Sequence, residues 1–169
     1  EGKPVLRTSV RTGEGIEALR EALHELVLHT AEKSARVPFR LPIDRVFSVD
    51  GFGTVVTGTL IGGCIAAGEK AALLPQGEMC RVRNLQVHGR DVEAACAGQR
   101  VAVNLSGIRK ENVCRGDVLC APDSLCPTRM LDVRLQNLRD SKRTIESGSR
   151  LHLYHGAAAR LVRAVLLDR

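Results

Sequence analysis

The chain has 169 residues, 44% of them hydrophobic, and carries a net charge of +6. Aromatic residues make up only 2%, with one Tyr, three Phe and no Trp. That excludes the base-stacking platforms on which single-strand RNA and DNA binders rely. No run approaches the ~20 apolar residues of a membrane span, and no basic-then-apolar leader opens the chain, so a cytoplasmic location is expected. The length allows one sizeable domain, or two small ones plus a segment.

The charge is unevenly placed. Residues 1–36 hold six basic and six acidic groups, residues 37–128 hold ten and nine, and residues 129–169 hold nine and four. A basic end on a neutral body points to a polyanion such as an RNA or DNA backbone; the alternative is a solvated, Arg-rich surface. Six cysteines stand at 64, 80, 96, 114, 120 and 126, with no Cys-x-x-Cys pair and no His at a zinc-knuckle offset. A structural zinc site needs such close ligand pairs. No metal site is expected, and the thiols read as small apolar residues in a reducing compartment.

Pro4-Val5-Leu6 enters as a short extended piece. From Ile16 the apolar residues fall at Leu19, Leu23, Leu26 and Val27, a helical stripe. Glu14, Glu17 and Glu21 favour the positive end of its dipole, and the helix is expected to fade between His29 and Lys33. One strand and one amphipathic helix do not make a domain. Residues 1–36 therefore read as the end of a larger α/β domain, or as a helix packed on the β domain next to it in the chain.

From Val37 the texture changes to short strands with glycine turns. Arg40–Val49 and Thr54–Leu60 flank Asp50-Gly51-Phe52-Gly53, a turn sequence that tolerates positive φ. Further strands are expected at Lys70–Leu74, Glu78–Val87, Arg100–Ser106 and Asp117–Cys120. Regular strands with this punctuation predict a mainly β fold, with a closed antiparallel barrel over 37–123. After Pro122-Asp123-Ser124, strands at Thr128–Leu138, Ser149–His155 and Arg160–Leu167 read as the opening of a second, partial β-barrel over 124–169.

The tempting motifs fail on spacing. Gly51-Phe52-Gly53 and Gly62-Gly63 lack the Gly-x-x-x-x-Gly-Lys-Ser/Thr pattern and open no helix, so they are turns. No Ser-His-Asp or Cys-His arrangement can be assembled from sequence spacing, and no catalytic residue is expected. What stands out is charge at strand positions. Asp44 and Arg45 are neighbours, whose side chains on a regular strand point to opposite faces. Arg100 opens a strand that is otherwise Val, Ala, Val and Leu at 101–103 and 105. A fixed guanidinium beside an apolar strand can hold a carboxylate or other anion bidentately. The plain alternative is an Asp44–Arg100 ion pair on the barrel rim.

The stretch from Leu41 to Gly58 resembles the opening of domain 2 in translational GTPases of the elongation factor Tu (EF-Tu) type. Gly98–Ile108 and Arg115–Leu119 are similar to later strands of the same barrel. Thr8–Ile16 resembles the last strand, guanine-contacting loop and final helix of the GTP-binding domain. Ser9, Val10 and Arg11 match that family's Ser-Ala-x motif, with Val10 in place of the usual Ala. Within the family, Asp44-Arg45 with Arg100, Arg81–Gly89 and the basic third piece look like the selenocysteine-specific elongation factors of the bacterial SelB type.

That resemblance implies a fragment of a factor that, when intact, delivers selenocysteinyl-tRNA to the ribosome in a GTP-dependent step. It implies an aminoacyl pocket of Asp44, Arg45 and Arg100 and a guanine-contacting loop of Ser9, Val10 and Arg11. It further implies a tRNA-backbone surface among Arg129, Arg134, Lys142, Arg143 and Arg150. GTP and magnesium belong to the full-length parent, a GTPase. The phosphate loop, the Asp-x-x-Gly switch and the Asn-Lys-x-Asp motif are not in this sequence, so the chain alone is expected neither to hydrolyse GTP nor to bind a cofactor. An mRNA hairpin would be met through a further C-terminal region, and no membrane is involved. Another EF-Tu-like GTPase, or a non-catalytic interaction barrel, remains the alternative.

Overall fold

The computed structural model describes residues 4–49, 51, 53–138 and 140–167. They fall into two units, residues 1–32 and 33–169.

In the first unit, helix α1 (Ile16–Leu28) forms where the apolar stripe predicts it. Gly15 precedes it with φ +70°, and no side chain caps its N-terminus. None of its residues is buried, and Leu23, Leu26, Val27 and Leu28 are exposed. Residues 4–6 form no strand, because a lone extended segment has no neighbouring ladder to complete.

In the second unit the strands are β1 (Arg40–Val49), β2 (Gly53–Thr59), β3 (Cys64–Ala66), β4 (Lys70–Leu74), β5 (Glu78–Val87), β6 (Arg90–Val92), β7 (Ala94–Cys96), β8 (Arg100–Ser106) and β9 (Val118–Cys120). A hairpin of β10 (Arg150–His155) and β11 (Ala158–Arg163) comes next. The sheet order β4-β9-β1-β2-β8-β5 closes through a β4–β5 pairing, giving a six-stranded antiparallel barrel with β6 appended to β5. Closure removes the unpaired edges that an open sheet would expose. The interior is lined by Leu41 and Ile43 from β1, Val56 from β2, Leu73 from β4, Val82 and Leu85 from β5, Val101, Val103 and Leu105 from β8, and Leu119 from β9; a register shift in β5 separates Val82 from Leu85 by three residues.

The turn between β1 and β2 rests on Gly51 (φ +78°) and Gly53 (φ +82°); Asp50 and Phe52 of the expected turn lie outside the described residues. The expected strand Thr128–Leu138 does not form. Its residues are exposed, including Met130, Leu131, Val133 and Leu138, and β propensity without a pairing partner makes no sheet. The expected strand at 160–167 is displaced to Ala158–Arg163, where it pairs with β10 from Arg150↔Arg163 to His155↔Ala158.

The thiols depart from expectation. Cys64 and Cys96 are joined by a disulfide. Three-residue strands β3 and β7, too short to show in the sequence, pair in a register that sets these two residues opposite each other. Cys80 and Cys120 are buried as small apolar residues, whereas Cys114 and Cys126 are free and exposed. Among the described residues, no helix is long and apolar enough to cross a membrane.

Candidate functional site

The informative feature is a fault in the β1 ladder. Ile43 pairs with Gly58 and Arg45 with Thr57, so Asp44 is an extra residue opposite a single partner. This is a β-bulge. It shifts the phase of the strand: Leu41 and Ile43 face the core before it, and Val46 packs against the core after it. Asp44 and Arg45, expected on opposite faces, therefore share the outer face with Thr57. Gly58 makes the close approach of the two strands possible here, since a Cβ on it would lie 2.2 Å from the Pro42 carbonyl oxygen.

Arg100 reaches the same place from β8, where it pairs with Thr59 across the ladder. Its Nη1 donates to Asp44 Oδ2 (2.5 Å) and its Nη2 to Asp44 Oδ1 (3.0 Å), a two-pronged contact. Thr57 Oγ1 donates to Asp44 Oδ1 (2.9 Å), and Arg100 Nη2 also approaches Thr57 Oγ1 at 3.4 Å. The Arg100 hydrogen bond is the main cause holding the Asp44 carboxyl below its ordinary range; partial burial opposes it, and Thr57 and the charge of Arg45 support it. In return Asp44 holds the Arg100 guanidinium protonated beyond its ordinary value. The Asp44 side chain is 30% exposed and that of Arg100 50%.

Asp44 and Arg100 neutralise each other. Arg45 makes no ion pair among the described residues and leaves the cluster with one net positive charge. The arrangement is a partly exposed, net positive cluster on the outer face of the barrel. Donors already oriented by a carboxylate can meet an incoming anion without first being ordered.

Thr57 is the residue that sequence reasoning missed. Its β-branched run reads as strand and nothing more, and only the bulge shows what its hydroxyl meets. A second group shares the outer face: Asn84 Nδ2 and Gln86 Nε2 both donate to Asp91 Oδ1 at 2.8 Å. A concavity of about 440 Å³ lies apart from the Asp44 cluster and is lined by Arg83, Arg109 and Lys110 together with Glu111.

The remaining expected residues fall elsewhere. Ser9, Val10 and Arg11 lie in the loop before α1, where Gly13 N–H donates to Ser9 O (2.8 Å) and Thr12 N–H to Ser9 Oγ (3.3 Å). Val10 is 93% exposed. Arg129, Arg134, Lys142 and Arg143 all lie on the exposed segment before β10, and Arg150 opens β10 opposite Arg163. All five are exposed, and among the described residues no polar contact draws them together into one cluster.

Residues 53–120 match the family model described as elongation factor Tu domain 2. The whole chain is 41% identical to the selenocysteine-specific elongation factor of Desulfomicrobium baculatum, of which it covers 27%. The chain is homologous to the selenocysteine-specific elongation factors. The Escherichia coli factor of that name is 37% identical over 95% of the chain, which covers 25% of it. The crystal structure of a bacterial selenocysteine-specific elongation factor, EF-Sec, superposes on 99% of the chain with a TM-score of 0.81 at 26% identity, and 28% of that protein is covered. The chain thus spans about a quarter of the length of these relatives of the selenocysteine-specific type, and its barrel has the EF-Tu domain 2 fold.

Proposed function

We propose that this chain is the part of a selenocysteine-specific elongation factor that holds the aminoacyl end of selenocysteinyl-tRNA. Residues 1–36 would be the end of the GTP-binding domain, 37–123 its domain 2 barrel and 124–169 part of domain 3. The observation that carries the reading is the β1 bulge, which gathers Asp44, Arg45 and Arg100 on one face.

The chemistry rests on charge. A selenol ionises near neutral pH, whereas the serine hydroxyl does not. A selenolate entering a partly desolvated site beside two guanidinium groups is favoured over a neutral hydroxyl. Asp44 prevents the two cations from simply repelling each other and orients Arg100; its carboxylate is also placed to meet the aminoacyl ammonium. Arg45, free of any ion pair among the described residues, is the group left to meet the anion.

The parent protein would be a translational GTPase acting at the ribosome. GTP and magnesium would be bound by that parent, with Ser9, Val10 and Arg11 contributing one wall of the guanine site. When bound, GTP supplies the timing of tRNA release. Arg129, Arg134, Lys142, Arg143 and Arg150 would contact the tRNA backbone, setting affinity without reading bases. Contact with an mRNA hairpin would belong to a further C-terminal region.

The test is competition between selenocysteinyl-tRNA and seryl-tRNA, carried on the same tRNA body, for the full-length parent at fixed salt. A clear preference for the selenocysteinyl form is expected. Equal affinities would contradict the reading and favour a general EF-Tu-like factor.

A further inference from the structure

Arg100 is tethered to the Cys64–Cys96 bridge by a short, fully clamped turn. Ala97 N–H donates to Gly63 O (2.8 Å) and Ala67 N–H to Glu93 O (2.9 Å), which makes 63/97 and 67/93 hydrogen-bonded pairs. Cys64/Cys96 is then a non-hydrogen-bonded pair, the type in which opposed side chains come closest. From the bridge, Cys96 N–H donates to Gln99 Oε1 (2.7 Å) and Gln99 N–H to Cys96 O (3.1 Å). Leu60 N–H donates to Gln99 O (3.0 Å) and Gly98 N–H to Leu60 O (2.8 Å). The next cross-strand pair is Thr59↔Arg100. The bridge therefore ties together the same two chain segments that carry Thr57 and Arg100 to the Asp44 cluster.

The pair is also accessible. Cys96 is exposed and Cys64 half-buried, whereas Cys80 and Cys120 are buried, with burial pushing the Cys80 thiol up to about 11. A thiol reacts as its thiolate, so the buried pair is inert by comparison.

We propose that Cys64 and Cys96 form a reversible dithiol–disulfide latch that sets the rigidity of the Gln99–Arg100 corner, and with it the Asp44–Arg100 pair. Closure consumes one low-molecular-weight disulfide. The Cys96 thiolate attacks one of its sulfurs and expels a thiolate. The Cys64 thiolate then attacks the Cys96 sulfur of the mixed disulfide and expels the second. The two cysteines lose two protons and two electrons, and the oxidant leaves as two thiols. Two equivalents of small thiol reverse the exchange. The β3–β7 pairing and the buried Ile65 and Ala95 hold the ribbon alongside the bridge, so opening the latch is expected to loosen the corner rather than unfold the barrel. The latch depends on the barrel geometry alone and not on which aminoacyl group the site takes.

The 169-residue chain is equilibrated in mixtures of reduced and oxidised glutathione. Alkylation and mass measurement then report which cysteines are bonded, and amide hydrogen exchange is followed in the same samples. The expected result is reversible bridging of Cys64 to Cys96 alone, with exchange at Leu60, Gln99 and Arg100 slowed by roughly tenfold or more in the bridged form. In the C64S/C96S double variant, exchange at these amides is expected to match the reduced form in every mixture. The idea is overturned if the pair never bridges, if the bridge resists small thiols, or if exchange at the corner is the same in both forms. Because the wild-type chain supplies both states, the test holds even if the double variant folds poorly.

Discussion

The carboxylate of Asp44 receives three hydrogen bonds, two from Arg100 and one from Thr57, in a site that is neither buried nor fully open. Half-exposed ion pairs of this kind contribute about 0–1 kcal/mol to stability, because solvent screens them and ordering long side chains costs entropy. Arg100→Ala should therefore change the urea midpoint only slightly. It should, however, raise the pKa of the Asp44 carboxyl by removing the main cause of its depression, as carboxyl NMR would report. The pH dependence has a definite sign. The folded-state pKa of Asp44 lies below its unfolded value, so the pair's small stabilisation is fully present above the ordinary Asp range. It is lost as pH falls through the depressed folded value, and Arg100 stays charged throughout. A site whose opposed charges survive across neutral pH is suited to sorting ligands by their own ionisation.

The bulge is the element that makes these residues a site. It takes two adjacent side chains that a regular strand would send apart and sets them side by side. Gly58 lies opposite the bulge's first flank, where any side chain would collide with the Pro42 carbonyl. Gly58→Ala is expected to destabilise the barrel by about 1–3 kcal/mol, as overpacking at a close approach does, measured by urea unfolding; a neutral result would mean that β1 and β2 are not held this tightly. The longer strands were legible in the sequence from β-rich runs set between glycine turns: β1, β4, β5 and β8 lie at the expected residues. The bulge is not among the expectations: Asp44 and Arg45 are expected on opposite faces, as on a regular strand, whereas the register places the extra residue between Ile43 and Arg45. The three-residue strands β3, β6 and β7 carry too little periodicity to be seen, unlike the equally short β9, which lies within the expected Asp117–Cys120; the Cys64–Cys96 bridge was hidden with β3 and β7. Residues 128–138 show the reverse case, in which apolar content suggests a strand but no partner is in place to pair with it.

At the scale of the whole molecule, the basic excess sits in residues 129–169, outside the barrel. The aminoacyl group and the tRNA body would then be read by different parts of the chain: selectivity by one charged cluster on the barrel, affinity by scattered exposed Arg and Lys. The full-length parent should show the two effects separately. Replacing Arg129, Arg134, Lys142, Arg143 or Arg150 by Ala should weaken selenocysteinyl- and seryl-tRNA binding equally. Each lost phosphate contact should lower the slope of log affinity against log salt by roughly 0.7–0.9, as read from a salt titration. Replacing pocket residues should leave that slope unchanged.

The most direct measurement is the ratio of selenocysteinyl- to seryl-tRNA affinity in the parent protein and in its Arg45→Ala and Arg100→Ala variants, at one salt concentration. If the gathered guanidinium groups select the selenolate, each variant should lower that ratio by roughly 10- to 100-fold, the value of a charge-assisted hydrogen bond, through loss of selenocysteinyl-tRNA affinity alone. An unchanged ratio in both variants would contradict the account and leave Asp44–Arg100 as an ion pair on the face of a barrel.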